Sequence, residues 1–217
     1  MRVFSISVLF ALLCNISVAQ VHEISLAKKK SEGQKVTKTV SGLNFSFNQD
    51  KLFSKTVTTK DGGLFTDIWV NGSYTIGEIG TPKLPAYKKL IRIPKGSNPV
   101  VKVISRSEQI INLKENKINN PIYPNQPSVR KDQDSTKIKF EIKKEAYSKN
   151  SFSNTPLATI EVLGNLRSAT IARLVVSPVD YNPGSGTLKI YNDISVDVNF
   201  EGASASETTL ETNSPYF

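Results

Sequence analysis

Few side chains in this sequence could act as a nucleophile or as a general base. His22 is the only histidine and Cys14 the only cysteine among the 217 residues. Nucleophilic catalysis requires a nucleophile close to a base, and no nucleophile-elbow pattern accompanies His22. Cys14 lies in an N-terminal segment that we expect to be removed. We therefore expect no catalytic residue in this chain, and we interpret His22 as a solvated side chain near the mature N-terminus.

Acidic side chains are the remaining candidates for chemistry, as metal ligands. Asp61, Asp67, Asp132 and Asp134 fall in segments that read as loops, but without the spacing of a calcium-binding loop. The sequence lacks the Cys and His set of a structural zinc site, and it contains no glycine-rich loop of the kind that binds phosphate. We expect neither a metal nor a cofactor.

A proline-stiffened segment is the best candidate for a binding function. It runs Pro121-Ile-Tyr-Pro-Asn-Gln-Pro-Ser-Val-Arg-Lys-Asp-Gln-Asp134. Its three prolines favour extended geometry and remove backbone donors, and a stiffened loop loses less entropy when it docks. Arg130 and Lys131 follow the rigid part, and a guanidinium can pair with a carboxylate through two hydrogen bonds. The segment is either an ordinary charged loop or a contact with another protein.

The first nineteen residues have the pattern of a secretory signal peptide. Arg2 precedes an apolar run, Val8 to Cys14, and small residues end the segment at Ala19. The run is too short to cross a bilayer. Cleavage between Ala19 and Gln20 would leave a mature chain without a thiol. We therefore expect export to the periplasm, the cell surface or the medium, and no membrane contact once the signal peptide is removed.

The charge balance is basic, with a formal net charge of +9 at pH 7. The basic residues are dispersed along alternating patterns, as in Lys137, Lys139 and Lys143, instead of forming one cluster. Dispersed charge on an exported chain indicates no nucleic-acid partner. It indicates a solvated basic face, or else a surface complementary to an acidic partner.

Alternation with a period of two dominates the sequence and predicts β-strands. Residues 43–47, 138–142 and 188–200 keep their apolar side chains on one parity. Asn192-Asp193 interrupts the last pattern, as a hairpin turn or as the bend of one long strand. Residues 169–176 are almost continuously apolar, which is typical of a central strand. Many short strands separated by Pro and Gly predict an all-β fold, a single antiparallel β-sandwich domain.

The domain organisation that we predict has four parts. Residues 1–19 are the signal peptide, residues 20–40 are a polar and loosely held lead-in, and residues 41–201 form the sandwich domain. Residues 202–217 shift to small and acidic side chains without an apolar period. This last stretch has the composition of a linker, and we expect it to lead toward a domain that the sequence does not include.

Two segments about a hundred residues apart resemble those of a known family. The first is Gly77-Glu-Ile-Gly-Thr-Pro-Lys-Leu-Pro85, which runs into an apolar stretch that Pro94 ends. The second is Ser177-Pro-Val-Asp-Tyr-Asn-Pro183. In this order they resemble the propeptide of gingipain-like, caspase-fold cysteine peptidases. We interpret the first as a crossing between sheets and the second as leading into the turn before the final strand pair, with these residues in structural roles: Gly77, Gly80, Pro82, Pro85, Pro94, Pro178, Tyr181, Asn182 and Pro183.

The resemblance implies a secreted propeptide that assists the folding of a C-terminal gingipain-like cysteine endopeptidase and keeps it latent. The partner would be the cognate peptidase domain encoded downstream. The chain alone would not be an enzyme, and it would be the N-terminal fragment of a precursor. The alternative is a free-standing secreted β-sandwich module for binding or adhesion.

The resemblance also implies an inhibitory residue, because propeptides of this family place a basic side chain in the specificity pocket of the enzyme. Arg130 is the first candidate for that role and Lys131 the second. The family's processing after an arginine at the junction has no counterpart here, since the last basic residue is Lys189. Either the processing site lies beyond Phe217 or the peptidase has another specificity.

Overall fold

The computed structural model describes residues 21–26, 33–134, 137–166 and 169–202. Within these ranges the chain forms twelve β-strands and one short helix, and no helix there is long and apolar enough to cross a bilayer. The elements are β1 (His22–Ser25), β2 (Gly33–Lys38), β3 (Gly42–Asn48), β4 (Lys51–Thr58), β5 (Leu64–Trp69), β6 (Tyr74–Ile76), β7 (Leu84–Ile93), β8 (Asn98–Asn112), α1 (Lys144–Tyr147), β9 (Ala158–Leu166), β10 (Ala169–Val176), β11 (Val179–Asn182) and β12 (Thr187–Glu201).

The strands form three sheets in which neighbours pair antiparallel. One sheet has the order β1-β4-β5, and a second has the order β6-β7-β10-β9. The third contains β11, β12, β3 and β2, with β8 on the other edge of β12. The all-β, antiparallel and sandwich-like fold predicted from the sequence is confirmed.

One hydrophobic core is shared by all three sheets. The parity expected from the sequence holds, because Phe45 and Phe47 of β3 and Leu188, Ile194 and Val198 of β12 are all buried. They pack with buried side chains from the other two sheets, such as those of β5 and β10. Burial of apolar surface at about 25 cal/mol per Å² is the main stabilising contribution.

The long strand β12 bends instead of turning back. β8 pairs with it from Thr187 to Glu201, with register shifts at residues 192–196, while β11 and β3 pair with successive halves of its other edge. Asp193 takes a positive φ of 46° at the bend. Of the two alternatives for Asn192-Asp193, the bend is correct. The central position predicted for residues 169–176 is also correct, since β10 lies between β7 and β9.

Three expectations need correction. Residues 20–40 were expected to be loosely held, but β1 and β2 lie in this range, and Ile24 of β1 is buried. Residues 138–142 alternate without forming a strand, and the ring of Phe140 packs against Phe65 of β5 without joining its ladder. The segment that starts at Gly77 joins β6 to β7, which are neighbours in one sheet, so it is not a crossing between sheets.

Candidate functional site

The proline-stiffened segment is held by main-chain hydrogen bonds on two sides. On one side, the Thr66 N–H donates to the Pro121 carbonyl and the Tyr123 N–H donates to the Thr66 carbonyl, both at 2.8 Å. On the other side, the Lys83 N–H donates to the Tyr123 carbonyl at 2.9 Å, and Pro82 bridges to Pro124. The first part of the segment therefore acts as an extra strand between β5 and the connection from β6 to β7.

Side-chain packing fixes the same part of the segment. Ile122 is fully buried. The ring of Tyr123 lies 5.9 Å from Phe65 of β5 and 5.9 Å from Phe140, and the last two rings lie 5.5 Å apart. Burial, with the nearby charge of Asp67, raises the pKa of the Tyr123 phenol. The chain leaves β5 after Tyr123 and returns to it at Phe140, and we call this excursion's outgoing and returning parts its two legs. The aromatic cluster packs both legs against the sheet that contains β5.

Gln126 and Glu141 join the two legs, and we call this point of contact the neck. The side-chain amide of Gln126 donates to the Glu141 carbonyl at 2.7 Å, and its oxygen accepts from the Glu141 N–H at 3.0 Å. The segment from 127 to 140, of which residues 127–134 and 137–140 are described, thus has its two ends joined. Below the neck, the Tyr147 hydroxyl donates to the Ile122 carbonyl at 2.7 Å, and burial raises the pKa of that phenol. We call residues 127–140 the projecting loop.

The tip of the projecting loop carries the two basic candidates. The Arg130 N–H donates to Gln133 Oε1 at 3.0 Å, and the Gln133 N–H donates to the Arg130 carbonyl at 3.1 Å, which defines a tight turn. The Arg130 guanidinium pairs with Asp132 through Nε and Nη2, each at 3.3 Å, with both side chains more than two-thirds exposed. Lys131 is also exposed. Both side chains are therefore accessible to a partner.

Gly80 is the point where both legs of the excursion are bound. Its N–H donates to the Asn125 carbonyl at 2.8 Å, and its own carbonyl accepts from the Lys143 N–H at 2.9 Å. Its φ of +83° favours glycine, and a Cβ here would lie 3.0 Å from Lys143 N and Cγ. Lys143 Nζ also contacts Glu78 Oε2 at 2.6 Å, which lowers the pKa of that carboxyl. The segment from Gly77 to Pro85 thus binds both legs at the base of the loop.

The two segments of the family resemblance meet across a cleft of about 230 Å³. Gly77, Pro82 and Leu84 line one wall, while Tyr181 and Pro183 line the other. In the sequence the two segments are separate motifs, and the structure brings them together. A larger groove of about 530 Å³ lies between the neck of the projecting loop and the outer face of the sheet formed by β6, β7, β10 and β9.

Asp180 organises the second wall, and sequence reasoning did not select it. Its carboxylate accepts hydrogen bonds from Ser153 Oγ at 2.7 Å, from the N–H groups of Ser153 and Asn154 at 3.1 and 3.2 Å, and from its neighbour Tyr181 N–H at 2.8 Å. The side chain is almost fully buried. Its partners lie 26 and 27 residues earlier, so no local pattern indicated the contact.

The other residues selected from the sequence lie in turns and at strand ends. Pro94 follows β7 and its carbonyl accepts from Ser97, while the Pro178 carbonyl accepts from the Tyr191 N–H at 2.7 Å. Asn182 Oδ1 accepts from the Ser185 N–H in the turn before β12. Pro85 lies in β7 opposite Thr75. The predicted signal cleavage site, Ala19 and Gln20, falls outside the described residues.

No catalytic or metal-binding arrangement is present within the described residues. His22 lies in β1 opposite Ser54, and neither is joined to a carboxylate. No group of three His, Cys, Asp or Glu side chains comes together in these ranges. What the described surface offers at this place is a segment joined at its ends by Gln126 and Glu141, with Arg130 and Lys131 exposed between them.

Comparison with known families identifies a propeptide. The family model Propeptide_C25 matches residues 23–215. Lys-gingipain HG66 of Porphyromonas gingivalis is 37% identical over 177 residues, which cover 80% of this chain and 10% of that protein. Gingipain R1 of the same species is 28% identical over 136 residues, 56% of this chain and 14% of that protein. The chain thus spans about a tenth of the length of the curated relatives it matches.

Solved structures show the same fold. A structure addressing the zymogenic latency of gingipain K from Porphyromonas gingivalis matches with a TM-score of 0.78 and 33% identity, covering 85% of this chain and all of that chain. A complex of the pro- and mature domains of RgpB from the same species matches with a TM-score of 0.65 and 22% identity, over 78% of this chain and 86% of that chain. At that lower identity the likeness concerns the fold alone.

Proposed function

The chain belongs to the Propeptide_C25 family and is the propeptide part of a gingipain-type precursor, and on that premise we propose that it keeps a cysteine endopeptidase latent and assists its folding. The peptidase is the domain encoded after this chain in the same precursor. The observation that carries the proposal is the match over the full length of a chain whose structure concerns zymogenic latency. A propeptide needs no catalytic group, because it acts by covering another surface.

The projecting loop supplies the inhibitory contact in this proposal. Its two ends are joined by the hydrogen bonds between Gln126 and Glu141, which reduces the conformational entropy lost when the tip enters the specificity pocket of the peptidase. Arg130 and Lys131 are the two side chains that could fill a pocket with an acidic floor. An exposed ion pair such as Arg130–Asp132 contributes about 0–1 kcal/mol, so exchange of Asp132 for a pocket carboxylate has a low cost.

The relatives suggest which of the two side chains fills the pocket. The proteins that match at 37% identity are Lys-gingipains, whereas gingipain R1 matches at 28%. If the peptidase prefers lysine, Lys131 is the pocket residue and Arg130 pairs at the rim. If it prefers arginine, the roles are exchanged. In both cases the protein is exported, and the precursor is latent in the periplasm, at the cell surface or in the medium.

A reconstitution experiment tests the latency function. The reading frame is followed past Phe217, and the peptidase domain found there is produced separately and assayed with and without this chain. We expect the chain to inhibit at or below micromolar concentration and to raise the yield of active enzyme on refolding. A reading frame without a peptidase domain, or a peptidase unaffected by the chain in both assays, would overturn the proposal.

A further inference from the structure

One side chain closes the neck of the projecting loop. The Gln126 amide makes two hydrogen bonds with the main chain of Glu141, as donor at 2.7 Å and as acceptor at 3.0 Å. We propose that Gln126 is the positioning residue of the inhibitory loop, which holds the Arg130–Lys131 tip in the orientation that enters the peptidase. The inference rests on the latency function proposed above.

The geometry explains why a side chain is needed at this point. Below Gln126, the two legs are bound to Gly80 through main-chain groups, from Asn125 on one leg and Lys143 on the other. Above it, Pro127 has no N–H group to donate to the opposite leg. The Gln126 amide takes the place of a main-chain pair and is the neck contact nearest to the loop. Without it, we expect the legs to separate up to the level of Gly80.

The chemistry of the amide is specific. A primary amide presents an N–H donor and an acceptor oxygen side by side, and both are used by the C=O and N–H groups of Glu141. Nε2 also lies 3.3 Å from the carbonyl oxygens of Pro124 and Asn125 on its own leg. A carboxylate at position 126 could accept from the Glu141 N–H but would face the Glu141 carbonyl without a proton to donate. Exchange of Gln126 for Glu therefore retains one half of the pair, and exchange for Ala retains neither.

The consequence of losing the pair is a loop that must be ordered again each time it binds. Ordering a flexible segment opposes association, and a loop that opens freely is also a better protease substrate, because cleavage of an opened segment follows the population of the open form. Positioning by Gln126 therefore affects two independent quantities, the strength of inhibition and the resistance of the tip to cleavage. Neither depends on the global stability of the sandwich.

The experiment compares Gln126→Ala, Gln126→Glu and, as a matched control, Gln34→Ala. Gln34 is an exposed glutamine of β2 and is remote in sequence from the loop. For each variant, the measurements are the inhibition constant against the peptidase domain, the rate of cleavage after Arg130 and Lys131 by trypsin, and the midpoint of urea unfolding.

We expect Gln126→Ala to weaken inhibition about tenfold and to accelerate tryptic cleavage by a similar factor, as the loss of two hydrogen bonds implies. Gln126→Glu should lie between Ala and the wild type, and the unfolding midpoint should stay within the range of Gln34→Ala. Equal cleavage and inhibition for the Gln126 variants and the control would overturn the inference. If the wild-type chain does not inhibit at all, the latency function fails, and the cleavage rates alone decide whether Gln126 positions the loop.

Discussion

The hydroxyl of Tyr87 donates a hydrogen bond of 2.6 Å to Gln49 Oε1 in the interior of the protein, where each residue is only 2% exposed. Tyr87 belongs to β7, and Gln49 lies between β3 and β4. The Gln49 N–H also donates to Asn192 Oδ1 at 2.9 Å, and the Asn192 amide donates back to the Gln49 carbonyl. This buried polar network therefore joins two sheets at the bend of β12.

Removal of the Tyr87 hydroxyl should destabilise the domain. In Tyr87→Phe, Gln49 Oε1 loses its donor in a buried site, which costs about 1–3 kcal/mol. Urea unfolding at equilibrium measures the effect, with Tyr74→Phe as the control because Tyr74 is 60% exposed. Equal free energies of unfolding for the two variants would contradict the role of the network.

Gly80 gives a second prediction, because its conformation and its surroundings can be separated experimentally. Gly80→Ala introduces a methyl group at a positive φ and 3.0 Å from Lys143 N, whereas Gly96→Ala meets a φ of +76° with nothing within 4 Å. Backbone strain alone costs about 1–3 kcal/mol. We expect Gly80→Ala to destabilise more than Gly96→Ala in urea unfolding, and to accelerate tryptic cleavage of the projecting loop, which Gly96→Ala should not do.

Local patterns predicted the core-facing side chains wherever a strand has one face toward the core and one toward solvent. Phe45 and Phe47 of β3 could be assigned to the core from alternation alone, because successive side chains of a strand point to opposite faces. The same alternation was misleading at Phe140. Its ring packs against Phe65 and Tyr123, which lie 75 and 17 residues away in the sequence. The alternation at this position therefore reflects side-chain packing and not strand pairing.

Long-range contacts explain what sequence reasoning missed at the site. Gln126 lay inside the segment selected from its prolines, but its function depends on Glu141, whose main chain leaves no signal in the sequence. Asp180 lay inside the second family segment, yet three of its four hydrogen bonds come from Ser153 and Asn154, which lie between α1 and β9. Residue type selected the segment as the binding candidate, and only the fold shows which contacts hold its two ends together.

The phenols of Tyr147 and Tyr181 predict a loss of stability in alkaline solution. Burial raises the pKa of Tyr147 and of Tyr181 above the ordinary tyrosine value of 10.0. Above that pH the unfolded chain releases phenolic protons that the folded chain retains, so the unfolded state binds fewer protons. The free energy of unfolding should therefore be independent of these groups below pH 10.0 and should fall as the pH rises above it.

A single variant tests this pH dependence. Tyr147→Phe removes one of the titrating phenols together with its hydrogen bond to the Ile122 carbonyl. The variant should be less stable than the wild type at neutral pH, but its stability should decline less steeply through the alkaline range. Urea unfolding across that range, followed by tyrosinate absorbance, measures both slopes. An equally steep decline in the variant would show that Tyr147 does not contribute.

The tip of the projecting loop gives the last prediction, which decides between Arg130 and Lys131. A side chain that fills a specificity pocket behaves as a binding hot spot, with a loss of about 2 kcal/mol or more on truncation, which is about thirtyfold in the inhibition constant. A side chain at the rim contributes about 0–1 kcal/mol. One of the variants Arg130→Ala and Lys131→Ala should therefore inhibit the peptidase far more weakly than the other.

Lys139→Ala is the matched control for this comparison, since Lys139 is an exposed basic residue of the same loop but lies outside the tip. Asp132→Ala separates the two cases further. It releases the Arg130 guanidinium from its ion pair, so inhibition should strengthen slightly if Arg130 enters the pocket and should not change if Lys131 does. Inhibition that survives simultaneous truncation of Arg130 and Lys131 would show that the tip is not the inhibitory element, because no basic side chain would remain at the turn to fill the pocket.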